Sequence, residues 1–249
     1  MSEPEASGAR AARPIGPAAG EVSEPEANGA HRRPVTPARV AAAAQARRLA
    51  HALVAADADD ATFAAVEALL VDANRILDAV PHLPRPVFDA DYVNRRLRDD
   101  PELPPTDAMA DRAVAGPANP TSVDLRHRMV PGGVEADVVF GPAFEGAPGR
   151  VHGGIVAATF DDLLGAAMAS TRAIGFTGRL TVHYRAPVPI DTEISFRLTA
   201  GPREGRKLHV HGDARLGDRV LATADALMIL VDIEHFKTHA RELLARGEG

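Results

Sequence analysis

Between residues 121 and 232 apolar side chains tend to recur at every second position, and one long stretch departs from that rhythm. The stretch is GRVHGGIVAATFDDLLG at 150–166, small and apolar with helical spacing. A lone helix set among strands leaves few ways to fold, because the strands must close around it. VDLRHRMV and VEADVVF read as strands with PGG at 131–133 turning between them. A helix is predicted over about 154–171. RLTVHYRAPV, TEISFRLTA, KLHVHGDARL and DRVLATADALMILVD then read as four strands in a meander, with REG and LGD as tight turns. In RLTVHYR the residues Arg179, Thr181, His183 and Arg185 are polar, whereas Leu180, Val182 and Tyr184 can face a core. The pattern predicts an α+β fold, an antiparallel sheet wrapped around one long central helix.

The remainder of the chain is of a different kind. Residues 1–36 hold almost no large apolar side chains and contain a near-repeat, SEPEASGARAARP at 2–14 and SEPEANGAHRRP at 23–34. Such a segment cannot bury enough surface to offset its conformational entropy, so a disordered tail is expected. Over 37–80 apolar residues recur at three- and four-residue spacings, interrupted by ADADDA at 56–61, which predicts a helical hairpin with an acidic start to its second half. Residues 81–120 read as a Pro-rich connection, and 233–249 as a short C-terminal helix.

Composition removes several classes of function. The formal net charge is −6 and no basic cluster alternates with aromatics, so nucleic acid is not the expected partner. The absence of cysteine removes thiol nucleophiles, disulfides and thiolate zinc sites. No signal-peptide core and no run of about 18 apolar residues is present, so a soluble, cytoplasmic protein with no membrane partner is expected. His209 and His211 alternate on one strand and His235 and His239 lie one helical turn apart, but neither pair has the further ligands of a catalytic zinc site. No metal and no cofactor are expected.

The chemistry concentrates at 150–166. The first amides of a helix have no internal partner, and the dipole adds positive charge there. Gly153 and Gly154 allow a ligand to approach those amides closely, which suits an oxyanion hole; a plain tight turn with a glycine cap is the competing reading. His152 either orients that site or finishes the turn. Gly154, Ala158, Asp161, Gly165 and Ala169 fall on one helix face, a stripe of small residues with one acid in the middle. A carboxylate on such a face is costly unless hydrogen-bonded or functional. Asp162, about 100° round the helix, reads as solvent-facing or structural. Gly154 and Asp161 are seven residues apart, roughly 10 Å along the axis. One carbonyl carbon cannot touch both, so a shared site predicts two copies of the chain across a twofold axis.

These residues also carry a resemblance. FEGAPGRVHGG followed by DD, the strand TGRLTVHYRAPVP and the EGRK turn resemble hotdog-fold acyl-CoA thioesterases of the PaaI-like and thioesterase-superfamily-member branch, over about 113–232. The resemblance implies an enzyme that hydrolyses acyl-CoA, with a hotdog domain at 121–232 and a homodimer or dimer of dimers. It implies Asp161 as the catalytic carboxylate, base or nucleophile. Gly154, with Gly153 and His152, would polarise the thioester carbonyl from the partner subunit, and Thr177 would hold the water or the acid. His183, Arg185 and the turn Glu204, Gly205, Arg206 and Lys207 match positions that grip coenzyme A, a role suited to the cations among them. Arg150 departs from the pattern, since relatives often have an apolar residue there.

Rival readings fit less well. A hotdog dehydratase needs a different acid–base set, and no Gly-x-Ser-x-Gly elbow supports a serine hydrolase. A non-catalytic acyl-CoA sensor that signals through the 38–80 helices is the alternative, although a pure sensor has no need of Asp161.

Overall fold

Three short turns set the sheet. Pro131-Gly132 joins β1 (Leu125–Val130) to β2 (Gly133–Val139), with Gly132 at φ 75°. Gly205-Arg206 joins β4 (Glu193–Glu204) to β5 (Lys207–Leu216), and Gly217-Asp218 joins β5 to β6 (Arg219–Leu230). Gly205 and Gly217 have φ of 60° and 55°, backbone values that other residues rarely take. Between β2 and β4 come the helix Gly153–Ala169 and β3 (Gly175–Tyr184). The computed structural model of the chain describes residues 35–81, 110–169, 171 and 175–231.

The six strands form one antiparallel sheet in the order β1-β2-β4-β5-β6-β3. The expected four-strand meander therefore needs a correction: β4, β5 and β6 form it, while β3 pairs with β6 and lies at the far edge. The connection 185–192, with prolines at 187 and 189, leads from that edge back to β4. β3 also starts earlier than RLTVHYR, and its pairing slips between Thr177 and Arg179, where Gly178 interrupts the alternation.

Alternate residues on the inner face make the core. Val134, Ala136 and Val138 of β2, Ile194, Phe196 and Leu198 of β4, and Leu208, Val210 and Ala214 of β5 are buried. They meet Val156, Phe160, Leu163, Leu164 and Ala167 of the central helix. Phe160 lies edge-on to Phe196 at 5.0 Å, and Phe196 to Phe140 at 6.3 Å. Each such side chain contributes roughly 1.5–3 kcal/mol by leaving water. The opposite helix face, with Gly154 and Asp161, stays open.

Two further helices precede the sheet, α1 (Pro37–Ala55) and α2 (Asp60–Asp78), so the central helix is α3. Thr36 caps α1 and Asp59 caps α2, its side chain accepting the Thr62 N–H at 2.9 Å. α1 lies against a 3-10 turn at Pro142–Phe144. α2 buries none of its residues and leaves Leu69, Ile76 and Leu77 exposed, so the two helices are joined in sequence without packing as an extended hairpin. Residues 1–34 of the expected tail, 82–109 of the Pro-rich connection and the expected C-terminal helix at 233–249, with His235 and His239, lie outside the described residues.

Candidate active site

The start of α3 is fixed by close approach rather than by charge. His152 precedes the helix and acts as its cap, Nδ1 accepting the Gly154 N–H at 3.0 Å. Its own N–H donates to the Phe144 carbonyl at 2.8 Å. A Cβ on Gly146 would stand 2.9 Å from the His152 Cα, so only glycine lets this loop lie so close. Tyr184, at the end of β3, donates its hydroxyl to the Gly153 carbonyl at 2.6 Å. Partial desolvation pushes the Tyr184 phenol above its ordinary value, which keeps that donor proton in place. The Gly153 N–H has no acceptor among the described residues, while that of Gly154 is engaged by His152.

Two neighbouring carboxylates have opposite surroundings. Asp161 is exposed in the single chain, so the expectation of an acid hidden on an apolar stripe needs amending: the stripe is the open face of α3. The Thr177 hydroxyl donates to Asp161 Oδ1 at 2.8 Å, tying the helix to β3 beside its irregularity. Asp162 is the enclosed one, its side chain 12% exposed. Arg112 donates from Nε to Asp162 Oδ1 and from Nη2 to the Asp162 carbonyl, both at 2.8 Å. Asp162 is therefore a structural acid and does not face solvent. Partial desolvation and the Arg112 guanidinium hold His127 below its ordinary value, against the pull of Asp162.

The other candidate residues fall at two ends of the sheet. A groove of about 510 Å³ runs beside the helix start, lined among others by Arg150, His152, Gly153, Tyr184 and Arg185. Arg150 thus lies on the groove wall, as does Arg185, and neither has an acidic partner among the described residues. His183 lies on the outer face of β3, opposite the side that Tyr184 presents to the helix. Glu204, Gly205, Arg206 and Lys207 form the β4–β5 turn at the other end, level with the first residues of β3. Arg206 is tied there through Nε to the Leu230 carbonyl at 3.3 Å. Within one chain the turn therefore accompanies Thr177 and Asp161, not the helix start. His211 bonds to Asp225 at 2.8 Å on the outer face of the sheet, away from both.

Sequence reading misses Arg112, the bond from Tyr184 to Gly153, and His51. All three act over long separations, of 50, 31 and 92 residues. Tyr184 is recognisable as inward-facing, and the hydroxyl on it is the one signal that a polar partner awaits.

No protein-family model matches the chain. Over 100 residues it is 31% identical to acyl-coenzyme A thioesterase THEM4 of Bos taurus, a match covering 39% of this chain and 41% of that protein. Over 93 residues it is 29% identical to the Xenopus laevis protein of the same name, covering 37% and 42%. The chain thus spans less than half the length of these curated relatives. A crystal structure of a thioesterase superfamily protein superposes with a TM-score of 0.63 at 26% identity, covering 79% of this chain and 97% of that one. With the sheet closed on α3 as expected, the chain has the hotdog fold and is similar to acyl-CoA thioesterases and to a thioesterase superfamily protein.

Proposed function

We propose that the protein is an acyl-CoA thioesterase whose site is shared between two copies of the chain. The observation that carries this reading is the Thr177–Asp161 hydrogen bond on the open face of α3, with the helix start left free to serve a second chain. The reaction takes R–CO–S–CoA and water to R–COOH and CoA–SH. Asp161 either accepts a proton as water attacks the carbonyl carbon or attacks that carbon itself. The Thr177 hydroxyl fixes one carboxylate oxygen, so the other faces the substrate. As the carbonyl becomes tetrahedral, its oxygen gains charge that the Gly153 N–H and the α3 dipole stabilise. The C–S bond then breaks. On the first route the departing thiolate takes the proton that Asp161 accepted from water. On the second it leaves an Asp161 anhydride, which water hydrolyses to R–COOH and the free carboxylate, the proton released going to the thiolate. No cofactor has a part in these steps.

A shared site follows from the geometry of one helix. Gly153 and Asp161 are separated by eight residues, about 12 Å along its axis. β3 is an edge strand, and two copies pairing antiparallel through it set the Thr177 end of one chain against the Tyr184 end of the other. The same pairing brings Arg206 and Lys207 of one chain toward the groove of its partner, where Arg150 and Arg185 stand. Four cations then face the phosphates of coenzyme A. A dimer of dimers is compatible with the same edge pairing. The cytoplasm is the proposed compartment; among the described residues no helix is long and apolar enough to cross a membrane.

The test is release of CoA thiol across short, medium, long and aromatic acyl-CoAs, read with a thiol-reactive dye. The chain has no cysteine to add background. Turnover by the wild type, reduced about a thousandfold in Asp161→Asn while binding persists, is the expected result. Tight binding without turnover on any acyl-CoA would replace the enzyme with a sensor, and an active monomer would refute the shared site.

A further inference from the structure

The loop that presents His152 to the helix start is braced from outside the sheet. At the 3-10 turn Pro142–Phe144 the Ala143 N–H donates to Nδ1 of His51, 3.0 Å away on α1. The imidazole also meets the Phe144 ring edge to face, with centroids 5.1 Å apart. Gly141 leaves room for it: a Cβ there would lie 2.7 Å from Nδ1. A donor, an aromatic face and a missing side chain together fit one imidazole to one turn.

The turn in its turn holds the site. The Phe144 carbonyl accepts the His152 N–H at 2.8 Å, and His152 Nδ1 accepts the Gly154 N–H at 3.0 Å. Phe144 also lies edge-on to Phe140 at 6.4 Å, which continues through Phe196 to Phe160, the neighbour of Asp161 on α3. We propose that His51 is a positioning residue for the reaction, fixing the turn from which His152 and the first amides of α3 take their place. The inference rests on the thioesterase reading of that helix start. Its physical basis is that amides aimed at a developing oxyanion act only when held to a fraction of an ångström. The brace needs Nδ1 without a proton and the ring N–H on Nε2. Partial burial favours that neutral form, with the nearby Asp191 carboxylate pulling the other way.

The experiment compares His51→Asn with His51→Gln in the full chain. The Asn Oδ1 stands where Nδ1 stands and accepts from Ala143; the Gln oxygen reaches the place of Nε2 and leaves that amide unpaired. With an acyl-CoA that the wild type turns over, His51→Gln is expected to lower kcat about 10-fold and leave KM within about twofold. His51→Asn is expected to restore most of kcat. Amide exchange at Gly154 should be faster in His51→Gln and near wild type in His51→Asn. Wild-type kcat in His51→Gln, or an equal loss in both variants, overturns the proposal. If the wild type turns over no acyl-CoA, the thioesterase reading falls separately, and Gly154 exchange that is the same in all three proteins overturns the brace.

Discussion

At the start of α3, His152, Gly153 and Gly154 are fixed by hydrogen bonds to uncharged partners and by the bare glycine at 146. Eight residues on, Asp161 and Asp162 are fixed by a hydroxyl and a guanidinium. One region is held by shape, with atoms left out so that backbone can approach backbone. The other is held by polar groups, with atoms added so that two carboxylates are told apart. The first should fail when something is inserted and the second when something is removed.

Substitutions can break that contrast. Removing the Asp161 charge has the largest expected effect, the thousandfold loss given above. Gly146→Ala comes next: the added methyl must displace the His152 backbone, and about a hundredfold loss of kcat is expected from a shift near 1 Å. Steady-state rates beside a crystal structure of the variant would check it, and an unmoved His152 with full activity would disprove the shape argument. Arg112→Ala should act on stability instead, because it strips Asp162 of its cation. A loss of about 2 kcal/mol, measured by denaturant unfolding, is expected, with kcat changed less than in Gly146→Ala.

The smallest effect is a pH dependence. His51 and His127 both have folded values below the ordinary 6.5, so the unfolded chain binds more protons in the window just beneath it. Their contribution to stability is complete above that value and is lost as pH falls through the window. The thermal midpoint should therefore decline on acidification from pH 7. In Arg112→Ala the His127 share should shrink, since a positive neighbour has gone and Asp162 remains. A midpoint that rises on acidification would contradict the assignment.

What the sequence discloses follows from how far each interaction reaches. The period of two in β2, β4 and β5 and the glycine turns at 205 and 217 are local patterns, and they mark the sheet strand by strand. Asp161 and Thr177 are separated by sixteen residues, across one helix end and one strand start, and their spacing can be read by eye. Strand order is not local: nothing in the sequence of β3 says that it pairs with β6 and not with β4. The acids show the same limit. Which of Asp161 and Asp162 is enclosed depends on Arg112, whose chain position carries no helical or strand periodicity linking it to α3. His51 is hidden for that reason too, on a helix whose apolar spacing gives no hint of a single acceptor nitrogen.

In the proposed reading, β3 is where assembly and chemistry meet. Among the described residues β3 pairs as a strand with β6 alone, and it is the element that carries Thr177. A long open edge is a template for any strand that meets it, and proteins keep such edges only when they are covered or guarded. A strand paired there would also bear on the angle of the hydroxyl bound to Asp161. Under the proposed pairing, solubility, subunit affinity and turnover would share a single structural cause. A substitution along that edge would then be felt as precipitation, as dissociation on dilution, or as a slower enzyme, according to the concentration at which it is observed.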